Sequence, residues 1–172
     1  MTIIGGERVT LRPVAPADGE RLRAIVREPS VARWWSPEDE WAWTDEDGTR
    51  AWAIVVAGEL VGLIQAYAEE DPEFRHAGLD LFVATAAQGR GIGPEAIHLL
   101  ARHLIDEEGH HRLVIDPAAA NERAIRAYER LGFRRVGVLR RYWRDPASGA
   151  WADGLLLDLL AEELRAPRSA ES

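Results

Sequence analysis

An acidic side chain inside an apolar strand pattern, followed by a glycine-rich loop, is the part of this sequence with the most chemistry to offer. Asp80 lies within the run Leu-Asp-Leu-Phe-Val at residues 79–83. A carboxylate buried in a strand needs a cationic partner or a raised pKa, so Asp80 could bind an ammonium group or accept its proton. The alternative is a solvent-facing strand position. Asp116 ends a second apolar run and could form another anionic wall of the same cleft, or it could cap the turn before Asn121.

The loop favours an anion site. Gly89, Gly91 and Gly93 precede an amphipathic helix pattern, and we predict that Gly93 caps this helix with Pro94 as its first residue. The first N–H groups of a helix have no partner within it and lie at the positive end of its dipole, so such a start binds phosphate or pyrophosphate well. The apolar face of the helix would carry Ile97, Leu100, Ala101 and Leu104.

Three phosphate-binding patterns compete for this loop. A dinucleotide fingerprint needs a third glycine where the chain has Pro94, and a nucleoside-triphosphate loop needs a lysine, of which the chain has none. The remaining pattern is Q-x-x-G-x-G, formed by Gln88, Gly91 and Gly93. An ordinary glycine-rich turn between a strand and a helix is the alternative without function.

These residues need a scaffold, and hydrophobic periodicity predicts one in the order β-α-α-β-β-β-α-β-α-β-β, an α+β arrangement. Asp18 and Asn121 are expected to cap their helices, and Gly132 is expected to close the last one. Strands are expected at residues 7–14, Arg50–Val56, 60–68, 79–83, 112–116, 136–144 and Trp151–Leu160, and helices at residues 18–29, 31–35, 94–109 and 121–131.

The domain organisation is expected to be simple. We predict a single domain over residues 1–166 and a disordered tail over residues 167–172. Residues 37–47 combine two tryptophans with several carboxylates, and they could wall a binding cleft or simply cover the sheet.

Composition excludes several classes of function. Without cysteine the chain has no disulfide, no thiolate metal site and no cysteine nucleophile. A net charge of −8 argues against nucleic acid as a partner and mildly favours a cationic small substrate, although it could serve solubility alone. No apolar run suits a membrane span or a signal peptide, so we expect no membrane partner and a cytoplasmic location. The adjacent His110 and His111 rarely converge on one ion in a loop, so we expect no metal.

The loop and a second motif together resemble the GCN5-related N-acetyltransferases (GNAT). The second motif is N-x-x-A-I-x-x-Y-x-x-L-G-F at residues 121–133, one helix and one strand after the first. The resemblance implies a mixed, mostly antiparallel sheet flanked by helices. It also implies acetyl-CoA as co-substrate, direct transfer to a primary amine in a ternary complex, and a monomer or homodimer.

Within that family the chain looks most like the aminoglycoside 6′-N-acetyltransferases, which confer antibiotic resistance. The shared features are Trp34-Trp35, Gln65-Ala66-Tyr67, Gly78-Leu79-Asp80 and Asp116-Pro117. The departure is at residues 69–75, where that group tends to have a longer segment with tryptophans. Acyltransferases of siderophore hydroxylysine chains share the D-P-x-x-x-N turn and are an alternative, as is a non-catalytic coenzyme-A-binding sensor on the same fold.

The resemblance also implies roles for residues. Tyr128 would be the general acid that protonates the leaving thiolate, or else a core tyrosine, and Asp80 would bind or deprotonate the amine. The edge of strand 79–83 would bind pantetheine if its neighbour diverges. Residues implied to bind the coenzyme are Phe82, Val83, Gln88, Gly89, Arg90, Gly91, Ile92, Gly93, Pro94, Asn121, Arg123 and Tyr128. Residues implied to bind a cationic acceptor are Trp34, Trp35, Tyr67, Asp80 and Asp116, with the acidic residues 69–71 near the same cleft.

Overall fold

The computed structural model describes residues 2–36 and 48–167. The acidic, tryptophan-rich stretch at 37–47 and residues 168–172 of the expected tail lie outside the described residues. The described strands are β1 (Ile4–Gly5), β2 (Val9–Pro13), β3 (Arg50–Val56), β4 (Glu59–Glu69), β5 (His76–Val83), β6 (Arg112–Ile115), β7 (Arg134–Arg144) and β8 (Trp151–Leu160). The described α-helices are α1 (Gly19–Val26), α2 (Pro29–Ala32), α3 (Ile92–Asp106) and α4 (Glu122–Arg130). None of these described helices is long and apolar enough to span a membrane.

The predicted order of elements is confirmed with one addition, the strand β1. It pairs with β2 through Ile4–Leu11 and Gly5–Thr10. A strand of two residues is too short to show an alternating pattern, so periodicity cannot detect it. Elsewhere the bounds differ by a few residues, as expected for element ends.

The strands form one mixed sheet in the order β1-β2-β3-β4-β5-β6-β8-β7. Every neighbouring pair is antiparallel except β5 and β6, which are parallel. The parallel pair is possible because α3 forms the crossover between the two strands. The implied mixed, mostly antiparallel sheet with flanking helices is therefore confirmed.

The sheet parts between β5 and β6. β4 and β5 pair along their whole contact, from Gly62–Val83 to Glu69–His76. β5 and β6 pair only at Ala77–Leu113 and Gly78–Val114. Beyond Gly78 the backbone groups of β5 on this side therefore face a gap instead of a neighbouring strand.

Helices cover both faces of the sheet. α3 and α4 pack on one face, where Leu100 and Ile125 are fully or almost fully buried. α1 and α2 pack on the other face, where Leu22 and Val31 join a second core. Side chains alternate along β5, so Leu79 enters the first core and Phe82 the second.

The predicted start of α3 is wrong by two residues. The helix begins at Ile92, and its N-cap is Gly91 with a φ of 77°. This left-handed conformation carries no steric penalty for glycine. Gly93 and Pro94, expected at the cap and the first position, therefore lie within the first turn.

Asp18 does lie at the N-cap position of α1, but the predicted side-chain cap is wrong. Its side chain makes no capping hydrogen bond to α1. The carboxylate instead accepts two hydrogen bonds from the Arg12 guanidinium at 2.7 and 2.8 Å and one from the Ala15 N–H at 2.7 Å. The guanidinium engages both oxygens, an arrangement stronger than a neutral hydrogen bond.

Candidate active site

Tyr128 is placed by a capped helix beside the gap between β5 and β6. The Asn121 side chain accepts a hydrogen bond from the Ala124 N–H at 3.3 Å, which confirms the predicted cap of α4. At the other end the chain turns through Gly132, whose φ is 108°, and the Phe133 N–H donates to the Tyr128 carbonyl at 3.1 Å. Tyr128 is 7 % exposed, and it lines two adjacent cavities.

The larger cavity has a volume of about 1180 Å³ and is lined by three carboxylates, two guanidinium groups and several aromatic rings. Its carboxylates are Asp80 from β5, Asp116 directly after β6, and Asp145 from the turn between β7 and β8. Other polar and aromatic residues that line it are Arg33, Trp34, Trp35, Asn121, Tyr142, Trp143 and Arg144. Carboxylates beside aromatic faces suit a ligand that carries ammonium groups.

The Asp80 carboxylate titrates near neutrality. Its Oδ1 accepts a hydrogen bond from the Leu81 N–H at 2.9 Å. Burial, and then the charge of Asp116, raise the pKa of Asp80 to about 7. A carboxylate with such a pKa can take up and release a proton at neutral pH, as a general base must.

Asp116 is held by a tyrosine that follows it by more than twenty residues. The Tyr142 hydroxyl donates a hydrogen bond to Asp116 Oδ2. Burial raises the pKa of Asp116, and this hydrogen bond opposes the rise. Burial and the same hydrogen bond raise the pKa of Tyr142, so the phenol stays protonated at neutral pH.

Tyr128 is protonated at neutral pH as well. Burial raises its pKa above the ordinary tyrosine value, and the charges of Asp80 and Asp116 raise it further. The hydroxyl is therefore a hydrogen-bond donor throughout the working pH range. Because its pKa is raised, the phenol can transfer its proton only to a strong base that forms within hydrogen-bond distance during a reaction.

The two tryptophans that follow α2 contact different strands. Trp34 lies against Trp143 of β7, with ring centroids 6.4 Å apart. Trp35 meets Phe82 of β5 edge-on at 4.9 Å. These contacts position α2 across the cleft, so that both tryptophans line both cavities.

The smaller cavity, of about 340 Å³, is lined by the glycine-rich loop and the start of α3. Gly89 and Gly91 have φ values of 74° and 77°, which are favourable for glycine and unfavourable for other residues. The predicted coenzyme residues that line this cavity are Phe82, Val83, Gln88, Gly89, Gly91, Ile92, Gly93, Pro94, Asn121, Arg123 and Tyr128. The predicted set is therefore brought together, except for Arg90.

The side chain of Gln88 is engaged within the protein. Its Nε2 donates to the Val83 carbonyl at 2.9 Å and to Ser30 Oγ at 3.0 Å, and its Oε1 accepts from Arg123 Nη1 at 3.3 Å. Gln88 thus ties the loop to β5 and α2.

Arg8 supports the loop from behind, and no sequence pattern points to it. Its Nη1 donates to the Arg90 carbonyl at 2.7 Å, and its Nε pairs with Glu95 Oε2 at 2.9 Å. Glu95 is 6 % exposed and also accepts the N–H groups of Arg8 and Val9 at 2.8 and 3.0 Å. The start of β2 is thereby fastened to the first turn of α3.

Some predicted residues lie outside both cavities. Arg90, Tyr67 and the acidic residues 69–71 line neither, so the third carboxylate of the larger cavity is Asp145 instead of that acidic loop. Tyr67 lies close enough to Asp116 and Asp80 for their charges to affect it. Burial raises the pKa of Tyr67 most, and these two charges raise it further. Besides Arg8, the sequence reasoning missed Ser30 and Arg130 in the smaller cavity and Tyr142, Trp143 and Asp145 in the larger one.

Residues 8–134 match the family described as acetyltransferase (GNAT) domain. The chain belongs to the GNAT family. It is therefore an acyl-CoA N-acyltransferase, and the resemblance in the two sequence motifs is confirmed. The GNAT match spans the elements from the start of β2 to the start of β7, which include all of the loop and α4.

Curated relatives of this GNAT chain act on different amines. It is 26% identical over 157 residues to the aminoglycoside N(6′)-acetyltransferase type 1 of Klebsiella pneumoniae, with 77% of each chain covered. It is 25% identical over 141 residues to the spermidine N(1)-acetyltransferase of Escherichia coli strain K12, covering 76% of this chain and 75% of the relative. The solved structure of Mycobacterium smegmatis RimJ in complex with CoA-disulfide superposes with a TM-score of 0.83 at 24% identity, covering 96% of this chain and 90% of that one.

GNAT acetyltransferases use acetyl-CoA, and the smaller cavity fits its phosphate end. Gly89 and Gly91 leave two positions of the loop without side chains, and the first turn of α3 presents backbone donors. The unpaired edge of β5 adds backbone groups next to Tyr128. Within residues 2–36 and 48–167, no three His, Cys, Asp or Glu side chains are grouped closely enough to hold a metal ion.

Proposed function

We propose that this protein is an acetyl-CoA-dependent N-acetyltransferase that acts on a primary amine of a small cationic molecule. The observation that carries the proposal is the meeting of the two cavities at the gap between β5 and β6. Trp34, Trp35, Leu81, Asn121 and Tyr128 line both cavities. An anion-binding loop and a carboxylate-lined cleft therefore share one junction, as direct transfer between two bound substrates requires.

The larger cavity would take the amine, and Asp80 would prepare it for attack. An amine reaches the site mainly as an ammonium ion, which cannot act as a nucleophile. Asp80, with a pKa of about 7, is largely ionised above that pH and can accept the proton directly or through water. Asp116 remains as a second negative charge for the ammonium group or for another cationic group of the acceptor.

The smaller cavity would take acetyl-CoA, which supplies an activated acetyl group when bound. The N–H groups at the start of α3 would bind its pyrophosphate, and Asn121 and the unpaired edge of β5 would bind its pantetheine arm. An N–H of that edge would donate to the carbonyl oxygen as negative charge develops on it. The Tyr128 hydroxyl would donate to the sulfur, where its proton is needed only as negative charge develops there.

Kanamycin, as a representative aminoglycoside, and spermidine are the first acceptors to test. The carboxylates of the larger cavity support a polycationic acceptor, and the names of the relatives support these two classes. An aminoglycoside acceptor would make the protein an antibiotic-resistance enzyme. Release of coenzyme A thiol would be measured with each amine, with a hydroxylysine-derived siderophore chain, and with an uncharged amine of similar size as control.

The outcomes separate the candidate functions. Transfer to kanamycin or spermidine, identified by a mass increase of one acetyl group, supports the proposal. Transfer to the siderophore chain and to no other amine contradicts the proposed acceptor and supports a siderophore N-acyltransferase. If acetyl-CoA binds tightly but no acceptor causes release of coenzyme A thiol, the result supports the coenzyme-A-binding sensor instead. Equal turnover of charged and uncharged amines contradicts the cationic acceptor.

A further inference from the structure

Strand β7 contains an irregularity beside the larger cavity. Its pairing with β8 is interrupted between Leu139–Gly154 and Trp143–Ala152, so residues 140–142 lie opposite the single residue Asp153. Within this bulge Arg141 has a φ of 50°, a left-handed conformation that is uncommon outside glycine. Bulges redirect side chains, and they are frequent next to active sites.

Residues 153 and 154 of β8 hold the bulge in place. Asp153 Oδ1 accepts the hydrogen bond of the Arg141 N–H at 2.8 Å. The next residue, Gly154, supports the ring of Tyr142, because a Cβ at Gly154 would lie 2.7 Å from Tyr142 Cδ1. The ring therefore occupies the space that a side chain at position 154 would need.

The same short segment also fixes the chain that carries Asp116. The Leu155 N–H donates to the Pro117 carbonyl at 2.9 Å, and the Ala119 N–H donates to the Asp153 carbonyl at 2.9 Å. Pro117 directly follows Asp116. Residues 153–155 thus hold both partners of the hydrogen bond from the Tyr142 hydroxyl to Asp116 Oδ2.

We propose that Tyr142 is a positioning residue for acceptor binding, one that keeps the Asp116 carboxylate charged and in a single orientation beside Asp80. This role rests on the proposed acetylation of a cationic amine. A carboxylate has about four lone-pair sites, so Asp116 can accept a hydrogen bond from an ammonium group in addition to those from the Tyr142 hydroxyl and its own backbone N–H. Tyr142 acts through Asp116 and takes no part in the transfer itself.

Tyr142 influences the pKa of Asp116, which in turn influences other titratable groups of the cleft. The titratable groups whose charges act on one another there are Asp80 of β5, Asp116 after β6, Tyr67 of β4, Tyr128 of α4 and Tyr142 of β7, with Arg112 of β6 also close to Tyr67. Removing the phenol donor raises the pKa of Asp116, because a hydrogen bond to the charged form is lost. A proton can then rest on Asp116 at a higher pH than before, so the cleft loses this negative charge at a higher pH.

The kinetic test uses Tyr142→Phe, which keeps the ring on Gly154 and removes only the hydroxyl. KM for kanamycin or spermidine is expected to rise roughly ten-fold, the scale of one lost hydrogen bond to a charged group. The increase of KM on acidification is expected to begin at a higher pH than in the wild type. Affinity for acetyl-CoA, measured by calorimetry, should not change. Asp153→Ala, which removes the anchor of the bulge, should raise KM in the same direction, whereas Val138→Ala, an exposed change in the same strand, should not.

A second measurement separates this proposal from the proposed function. Asp side chains labelled with ¹³C at the carboxyl carbon are titrated by NMR without either substrate, in the wild type and in Tyr142→Phe, with Asp116→Asn used to assign the Asp116 signal. The Asp116 signal is expected to titrate at higher pH in Tyr142→Phe. An unshifted titration, or an unchanged acceptor KM, overturns the role of Tyr142. Absence of thiol release by the wild type with every amine overturns the acetyl transfer, while the NMR result still decides whether Tyr142 controls Asp116.

Discussion

The two cavities that meet at Tyr128 are built in different ways. The smaller cavity takes about half of its lining from one continuous stretch, residues 81–97, and the groups predicted to bind the pyrophosphate are backbone N–H groups of this stretch. The larger cavity takes its carboxylates from β5, from the segment after β6, and from the turn between β7 and β8. The first site is thus a property of a local backbone conformation, and the second exists only when distant side chains have been packed together. Substitutions in the two halves should therefore differ in which kinetic constant they change.

The largest fall in kcat is expected for a substitution at the junction, because Tyr128 lines both cavities. Tyr128→Phe keeps the ring in the core and removes the hydroxyl, so kcat should fall by roughly 10²–10⁴-fold, the range for one positioned proton donor. Acetyl-CoA affinity and melting temperature should remain close to those of the wild type. Steady-state and single-turnover thiol release would be measured on the same preparation.

Tyr67→Phe is the matched control for Tyr128→Phe. Its phenol is influenced by the same two carboxylates, yet it lines neither cavity. Its kcat should stay within a few-fold of the wild type. A normal single-turnover rate in Tyr128→Phe would show that the hydroxyl takes no part in the chemistry.

Asp80→Asn should disturb the acceptor half alone. We expect kcat/KM for amines to fall by about 10²-fold, the lower end for loss of a general base, with unchanged acetyl-CoA affinity. In the wild type kcat/KM should rise with pH through the Asp80 pKa of about 7, because the ionised carboxylate is the active form. The variant should lack this limb, which pH–rate profiles would test.

Asp106→Asn controls for the loss of one negative charge, because Asp106 pairs with Arg102 on the exposed surface of α3. Its profile should match that of the wild type. If Asp80→Asn retained the limb near pH 7, a group other than Asp80 would have to be the base.

Gly91→Asp should disturb the coenzyme half alone. An added Cβ would lie 3.0 Å from Arg8 Nη2. The φ of 77° at this position is unfavourable for residues other than glycine. The new negative charge would also repel a phosphate group. We expect the Kd for acetyl-CoA to rise roughly ten-fold or more, since several charge-assisted hydrogen bonds depend on this loop. Calorimetry would measure the affinity.

Gly58→Asp is the matched control for Gly91→Asp. It has a similar φ of 83°, lies in the turn between β3 and β4, and has no atom within 4 Å of an added Cβ. It introduces the same backbone strain and charge away from the loop. Equal loss of coenzyme affinity in both variants would contradict the placement of the pyrophosphate at this loop.

Arg8→Gln should have the smallest effect. The buried Glu95 carboxylate keeps its two hydrogen bonds from backbone N–H groups when the guanidinium is removed, so we expect at most about a five-fold rise in the Kd for acetyl-CoA, the scale of one ordinary hydrogen bond. Calorimetry would measure this rise as well. Arg102→Gln removes a comparable exposed partner on α3 and should leave the affinity unchanged. A loss as large as that of Gly91→Asp would mean that Arg8 contacts the coenzyme directly.

The contrast between the halves also explains what the sequence could predict. The order of long elements follows from periodicity, and the glycine loop and the Asn121 cap follow from local rules of helix starts. Tyr142 and Arg8 carry no such signal, because their partners Asp116 and Glu95 are 26 and 87 residues away. The side-chain cap assigned to Asp18 failed for a different reason, because the rules of helix starts do not include its ion pair with Arg12, six residues earlier.

The parting of β5 from β6 has a further consequence for the motions of the molecule. Strands β1–β5 and strands β6–β8 are joined within the sheet by two residue pairs only. Folded proteins open locally in roughly contiguous cooperative units, and regions with few local contacts open most easily. The pairing of β5 with β6 ends at the junction of the two cavities, so substrates bound there would bridge both groups of strands. The protein would then lose internal freedom on forming its ternary complex, and part of the binding free energy would be spent on that ordering.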